Sequence, residues 1–122
     1  MKSKNDLEDI VMYDTLVTLK RGLTEILALK LLLEEDQYGY QFVRLIRDRS
    51  EGDISLTEGA LYTTLYRLEA DGYVTSEDIL VGLKRRRRYY HITEKGVTYA
   101  AKEIAKYERL AGGVMKVLYY GE

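Results

Sequence analysis

The chain has 122 residues, of which 46% are hydrophobic and 32% charged, and its net charge at pH 7 is −1. This length suits one domain, and the composition is that of a folded soluble protein. The longest strongly apolar run, residues 26–33, is too short to cross a bilayer, and a chain without cysteine has no disulfide and no thiolate metal site. The acidic N-terminus lacks the apolar segment of a signal peptide, so we expect a cytoplasmic protein without a membrane partner.

The N-terminal part of the chain is expected to be helical. An acidic opening segment predicts a short amphipathic helix, assigned to an N-terminal extension over residues 1–18. Apolar residues recur at helical spacing through the next segment and predict a long helix that begins between residues 6 and 16 and ends near Glu35. A polar turn at residues 36–39 then leads to a second amphipathic segment, closed by the turn at residues 50–53, which predicts another helix.

A further helix is expected over residues 56–70, where three leucines recur at the spacing i, i+4 and i+7: Leu61, Leu65 and Leu68. Asp71 and Gly72 follow it and make a good C-terminal stop. The start of this helix has two candidates. Ser55 with Glu58 forms a capping box, and Thr57 is an equally plausible N-cap.

The helix face opposite these leucines has the composition of a DNA-reading surface. Stepping about 100° per residue places small, hydroxylated, aromatic and basic side chains on it or at its edge: Gly59, Tyr62, Thr63, Tyr66, Arg67 and Ala70. A face for the major groove should lack carboxylates, which would oppose the phosphates, and should allow close approach near its N-terminus. The alternative is a solvated face, but such faces usually carry Glu and Lys. We therefore assign DNA contacts to this face, to Thr57 at its start and to Tyr38 in the turn at residues 36–39.

Residues 73–80 and 86–92 are rich in β-formers and predict two strands joined by a short basic turn. Five consecutive cations lie at this hairpin: Lys84, Arg85, Arg86, Arg87 and Arg88. Such a run can be a solvated loop or protect an edge strand from aggregation. Its position directly after a candidate reading helix favours phosphate contacts. Because side chains alternate between the two faces of a strand, we expect two or three of the cations to bind DNA.

Thr93 can cap a last helix, in which apolar residues keep a three-four spacing: Val97, Ala100, Ile104, Tyr107, Ala111, Val114 and Leu118. A lone helix with such a stripe would expose an apolar patch, so we expect it to form a dimer seam with a second copy of the chain. Gly112 and Gly113 interrupt the stripe and predict a kink or a close-approach point, with fraying beyond them as the alternative.

Four strings occur in this order along the chain: LKRGLTEILALKLL from residue 19, YGYQFVRLI from residue 38, EGALYTTLYRLEADGYV from residue 58 and RRRRYYHITEKG from residue 85. Together they resemble the PadR family of bacterial and archaeal transcriptional regulators. The resemblance implies a mainly α (α+β) fold with a winged helix-turn-helix domain, here over residues 19–93, whose wing is a two-stranded β-hairpin that touches the minor groove or the DNA backbone. It also implies a single C-terminal dimerisation helix, here over residues 94–122, as in the short branch of the family.

Two departures lie on the predicted reading face. The family usually has proline where this chain has Thr63, and often a second basic residue where it has Tyr66. Base preferences therefore do not carry over to this chain, even if the mode of docking does.

The predicted function is that of a sequence-specific DNA-binding regulator, with repression as the expected outcome, that binds a pseudo-palindromic operator as a homodimer. The resemblance further implies a small aromatic or hydrophobic effector at the dimer interface. Tyr13, Tyr99 and Tyr107 are its candidate contacts, although plain interface packing explains these tyrosines more simply. The alternative function is a winged-helix module that binds an acidic protein partner without specific DNA binding.

Catalysis is not expected. The single histidine, His91, lies on a predicted strand between aromatic positions, where a surface or packing role is the simpler interpretation, and no serine or threonine has an evident partner for a triad. The adjacent carboxylates at residues 34–36 lie on different sides of a helix end and make a poor metal site. We therefore predict neither a metal nor a cofactor.

Overall fold

The computed structural model describes residues 22–122. In chain order its elements are α1 at residues 22–34, β1 at Gln37–Tyr38, α2 at Gly39–Arg49, α3 at Glu58–Ala70, β2 at Val74–Val81, β3 at Arg85–Ile92 and α4 at Glu94–Leu118. The predicted order of helices and hairpin is confirmed over this part of the chain. The predicted extension over residues 1–18 and the predicted start of the first helix lie outside the described residues. No helix within residues 22–122 is long and apolar enough to span a membrane.

The sheet has three antiparallel strands in the order β1-β3-β2. β2 and β3 form the predicted hairpin and pair along their whole lengths. The predicted hairpin wing is confirmed, and the sheet has a third strand beyond the prediction, because Gln37 and Tyr38 pair with β3 on its other edge, opposite Tyr90 and Tyr89. The hairpin turn is residues 82–84, so all four arginines lie in β3, and the prediction of a basic turn holds only for its last residue.

One core joins the three helices of the domain, the sheet and the first turns of α4. The predicted leucine stripe of α3 is buried, with Leu61 and Leu65 at 0% exposure and Leu68 at 2%. Apolar side chains from every neighbouring element surround it: Leu29, Phe42, Val74, Tyr90 and Ala100. Burying one such large aliphatic or aromatic side chain contributes roughly 1.5–3 kcal/mol. The core therefore holds α3 with its leucines inward and its opposite face outward.

Threonine caps fix where α3 and α4 begin. The Thr57 hydroxyl oxygen accepts a hydrogen bond from the Ala60 N–H at 3.1 Å, so α3 starts directly after Thr57 and not at the earlier capping box. Thr93 caps α4 as predicted, accepting from the Gly96 N–H at 3.0 Å. Its hydroxyl also lies 2.8 Å from the Gly72 carbonyl oxygen, to which it donates. The turn after α3 is thereby tied to the start of α4.

The first turns of α4 pack closely on the domain. Gly96 is buried, and a Cβ at this position would collide with the Tyr73 carbonyl oxygen. Ala100 is 0% exposed and belongs to the core. This corrects its predicted place in a dimer seam, because the helix uses that turn to pack on its own domain. α4 then continues as one helix through the glycines at residues 112–113 to Leu118, which rules out the alternative of fraying directly beyond them.

Candidate nucleic-acid interface

The outer face of α3 is open to solvent. Tyr66 is 74% exposed and Tyr62 44%, and Gly59, Thr63 and Ala70 are exposed as well. The Thr63 hydroxyl donates to the Gly59 carbonyl at 2.9 Å, which leaves its oxygen able to accept from a base edge. A Cβ at Gly59 would meet no atom of the described residues within 4 Å, so they leave room for a duplex at the first turn of α3.

Two of the predicted contacts already have partners within the chain. Thr57 is exposed, but its oxygen is engaged as the α3 cap. Arg67 is half-buried, and its Nη2 donates to the Thr64 hydroxyl at 3.4 Å. The Arg67 Nε is buried without a hydrogen-bond partner among the described residues. A buried donor without a hydrogen-bond partner costs free energy.

Gly39, which sequence patterns did not single out, lets α2 and α3 approach each other. It is the first residue of α2 and is buried, and a Cβ there would collide with the Tyr62 hydroxyl. The turn before it is closed by the Tyr38 N–H, which donates to Gln41 Oε1 at 3.0 Å. Only glycine at this position allows Tyr62 to sit against the N-terminus of α2.

The wing cations differ in what they contact. Arg88 Nε lies 3.2 Å from Asp78 Oδ1, and this hydrogen bond raises the pKa of the Arg88 guanidinium above its usual value. Arg87 places its guanidinium carbon 4.4 Å from the centroid of the Tyr38 ring, a cation–π contact. The other three, Lys84, Arg85 and Arg86, make no hydrogen bond or ion pair within residues 22–122. Three cations therefore remain available for phosphates.

The four arginines of β3 line a cavity together with residues of α2 and α3. It has a volume of about 340 Å³ and lies between β3, the start of α2 and α3, lined by Tyr38, Gly39, Tyr40, Tyr62 and the four arginines Arg85, Arg86, Arg87 and Arg88. The predicted contacts on the wing, in the turn at residues 36–39 and at the edge of α3 thus meet at one surface. Gly59, Thr63 and Tyr66 lie outside this cavity on the exposed face of α3.

His91 links the wing to the turn before α2. Its Nδ1 lies 2.7 Å from Asp36 Oδ2, and its Nε2 lies 3.1 Å from Glu77 Oε1. Both ring nitrogens can donate to these carboxylates only when the imidazole is protonated. The histidine therefore has a structural place between the wing and the turn before α2, in keeping with its predicted surface or packing role.

Tyr99, a candidate effector contact, is engaged inside the chain. Its ring stacks on Tyr73 with centroids 3.9 Å apart and planes 4° apart. Its hydroxyl donates to Glu25 of α1. Burial, followed by this hydrogen bond, raises the pKa of Tyr99 above its usual value. These contacts favour the packing interpretation of Tyr99; Tyr107 is 42% exposed further along α4, and Tyr13 lies outside the described residues.

The distal half of α4 carries an apolar groove of about 670 Å³, lined by Lys106, Arg109, Leu110, Gly113, Val114, Val117 and Leu118. Of the predicted seam residues, Val97, Tyr107, Val114 and Leu118 are exposed within one chain. Ile104 and Ala111 are half-buried. The described chain thus leaves most of the predicted seam in solvent.

The profile of the transcriptional regulator PadR-like family matches residues 28–102. That range runs from α1 through the wing into the first turns of α4. The chain belongs to the PadR-like family. This PadR-like protein is accordingly a transcriptional regulator with a DNA-binding winged helix, and its relatives are regulators and not enzymes.

Individual relatives agree with this assignment. The crystal structure of a PadR family transcriptional regulator from Eggerthella lenta superposes with a TM-score of 0.74 at 30% identity, covering 94% of this chain and 98% of that one. A transcriptional regulator of Mycobacterium tuberculosis, Rv3488, is 37% identical over 71 residues, which are 58% of this chain and 65% of the relative. PadR of Bacillus subtilis, solved in complex with operator DNA, shares the fold with a TM-score of 0.62 at 20% identity, covering 67% of this chain and 46% of that one.

Proposed function

We propose that this PadR-like protein binds a specific operator sequence as a homodimer and that binding represses transcription. One observation carries the proposal: an exposed face of α3 without carboxylates lies beside a wing whose three outermost cations are unpaired within residues 22–122. Tyr62 of α3 and the wing arginines line the same cavity, so one side of the domain offers both surfaces. A recognition helix in the major groove and cations on the adjacent backbone would use them together.

The DNA complex of Bacillus subtilis PadR supports this mode of binding, because that protein has the same fold and was solved with operator DNA. In a DNA complex of the present protein, α3 presents Tyr66, Thr63 and Gly59 to base edges, while Lys84 and the neighbouring arginines meet phosphates. The first group supplies discrimination between sequences. The second supplies affinity that depends on salt.

The distal half of α4 supports a homodimer. Its apolar side chains are exposed in one chain, with Leu110 at 68% and Val117 at 79%. A Cβ at Gly112 or at Gly113 would meet no atom within 4 Å, so no contact among residues 22–122 explains these helix-weakening glycines. Close approach of a second α4 would explain both features. Two copies of α3 would then read half-sites about one helical turn apart, which predicts a pseudo-palindromic operator.

A small aromatic or hydrophobic effector remains a prediction. Of its candidate contacts, Tyr99 is stacked on Tyr73 and bonded to Glu25, whereas Tyr107 belongs to the exposed part of α4. An effector bound near Tyr107 would compete with, or reshape, the proposed dimer contact. Release of DNA would follow from that change.

The test is selection of bound sequences from a pool of random duplexes, followed by affinity measurements at several salt concentrations. We expect a two-fold symmetric consensus, and log affinity that falls linearly with log salt with a slope of about −4 or steeper, as for several phosphate contacts. No enriched sequence and an affinity indifferent to salt would contradict the proposal. A protein-binding winged-helix module would give that result.

A further inference from the structure

The wing ends in an apolar tip. Gly82 turns the chain between β2 and β3 with φ +72°. Leu83, the next residue, is 97% exposed, the highest value among the exposed hydrophobic side chains of the described residues. Leu80 at the end of β2 is 62% exposed. A single exposed leucine is ordinary, so the meaning of this tip depends on what surrounds it.

Free positive charge surrounds it. Towards the base of the wing, Arg88 is bonded to Asp78 and Arg87 lies over the Tyr38 ring. Nearest the tip, the cations at residues 84–86 have no hydrogen bond or ion pair in the described part of the chain. The charge that the fold leaves uncompensated is therefore the charge closest to Leu83.

An apolar side chain among free cations is complementary to the minor groove of duplex DNA. Phosphates line both rims of that groove, while sugar and base edges form its interior, and a narrow minor groove concentrates negative potential. Protection of an edge strand from aggregation would explain the cations but not the exposed leucine. An apolar groove on a protein would accept the leucine, but only an acidic rim around that groove would also pair with the three cations.

We propose that Leu83 enters the minor groove of the bound duplex as an apolar wedge, with Lys84 and Arg85 on the phosphates at its rims. The inference rests on the proposed DNA binding and deepens it, because the wing then reads groove shape in addition to charge. Apolar wedges from minor-groove proteins pack between or against base steps. The guanine amino group projects into that groove, so the contacted step should favour pairs that lack it.

The first test separates apolar contact from charge. Leu83→Ser should lower affinity for the selected duplex about tenfold at every salt concentration, with an unchanged slope, because an apolar contact releases no counterions. Leu83→Met keeps an apolar tip and should bind as the wild type does. Arg85→Ala should instead flatten the slope by about one unit. Since Leu83 is 97% exposed, its substitutions leave the core intact.

The second test changes the groove. Inosine in place of guanine at the positions protected by the wing removes the minor-groove amino group and leaves the major-groove edge unaltered. Wild type and Leu83→Met should bind the inosine duplex more tightly than the guanine duplex. Leu83→Ser should show a smaller difference between the two duplexes.

Each outcome decides the inference. Wild-type affinity and an unaltered inosine response in Leu83→Ser would overturn the wedge while leaving DNA binding in place. A flattened salt slope in Leu83→Ser, like that of Arg85→Ala, would also overturn it, because the tip would then act only by positioning charge. If the wild type bound no duplex in a salt-dependent way, the proposed function would fail first, and the tip would belong to a protein contact.

Discussion

The two ends of α4 stand in opposite relations to the rest of the chain. Its first turns are fixed on the domain by the Thr93 cap, the close packing of Gly96 and the complete burial of Ala100. Within residues 22–122 its last turns leave large apolar side chains in solvent, with Val117 at 79% and Leu118 at 64% exposure. One three-four spacing runs through both ends. The spacing therefore reports an apolar stripe but not whether its partner is the same chain or a second copy.

α3 also has a buried part and an exposed part, but here they are the two faces of the helix and not its two ends. Leu61 and Leu65 on its inner face are completely buried, while Tyr66 on its outer face is 74% exposed. The buried surfaces are explained by the fold of one chain. The exposed surfaces are the ones for which we propose partners: DNA for α3 and a second copy for distal α4. Substitutions that change only a buried surface or only an exposed surface test this distinction.

Val114→Glu, in the distal half of α4, should have the largest effect, which is on dimer association. Val114 is 48% exposed in one chain and lines the apolar groove. In a dimer the new carboxylate would be buried without a partner, which should weaken association by about 3 kcal/mol or more, over about 100-fold. Sedimentation at micromolar protein should show a dimeric wild type and a monomeric variant with unchanged thermal unfolding of the domain. Ile104→Glu tests this less cleanly, because Ile104 is half-buried within its own chain.

Lys116→Glu is the matched control for that experiment. Lys116 is exposed and does not line the groove, so the same new charge two residues away should leave the dimer intact. A dimeric Val114→Glu variant, or a monomeric wild type, would contradict both the dimer and the palindromic operator inferred from it.

A pair of glycine substitutions compares the anchored and exposed ends of α4 directly. Gly96→Ala should destabilise the fold by about 2–3 kcal/mol, because its Cβ collides with a backbone carbonyl that cannot move alone. Gly112→Ala, where a Cβ meets no atom within 4 Å, should stabilise an isolated chain by up to about 1 kcal/mol through helix propensity. Denaturant unfolding measures both. If both substitutions destabilised the monomeric chain to a similar extent, the two ends of α4 would not differ in how they pack on the domain.

Tyr66→Ala tests the outer face of α3. The change removes a side chain that is 74% exposed, so the unfolding free energy should stay within about 0.5 kcal/mol of wild type. Binding to the selected operator should weaken by about 1–2 kcal/mol, with a smaller loss on unrelated duplex, because base-edge contacts carry the discrimination. Competition between the two duplexes measures the difference. Equal losses of affinity for both duplexes would mean that Tyr66 contacts the DNA backbone and not the bases.

Local signals predicted most of the fold. The leucine spacing of α3, the Thr93 cap and the β-hairpin are determined by neighbouring residues, and the structure confirms each of them. The choice between two starts of α3 could not be made from sequence, since both candidate caps satisfy the same local rule. The Thr57 hydrogen bond to Ala60 decides it.

Contacts between distant segments were not predictable in this way. The strand at Gln37–Tyr38 has two residues, too few for an alternating pattern, and its partner strand lies about fifty residues later along the chain. The role of Gly39 appears only when Tyr62 is brought against it. The separation of the wing cations into paired and free groups depends on the register that sets Arg88 opposite Asp78.

The smallest expected effect concerns the anchor between α4 and α1. Tyr99→Phe keeps the stack on Tyr73 but removes the hydrogen bond to Glu25, and should cost about 1 kcal/mol of unfolding free energy near pH 8. Tyr107→Phe is the control on the exposed half of the helix, where the hydroxyl has no hydrogen bond within residues 22–122. It should leave stability unchanged.

The pH dependence of that cost identifies its source. Burial and the bond to Glu25 raise the pKa of Tyr99 in the folded protein, whereas the unfolded chain releases this proton near pH 10. Above about pH 10 the unfolded state therefore binds fewer protons than the folded state, and the stability that the hydroxyl contributes is lost as pH rises. The difference in unfolding free energy between wild type and Tyr99→Phe should be full below about pH 9 and shrink towards pH 11. A cost that stayed constant across this range would contradict the raised pKa of Tyr99, and no cost at any pH would mean that the ring stack alone holds this end of α4.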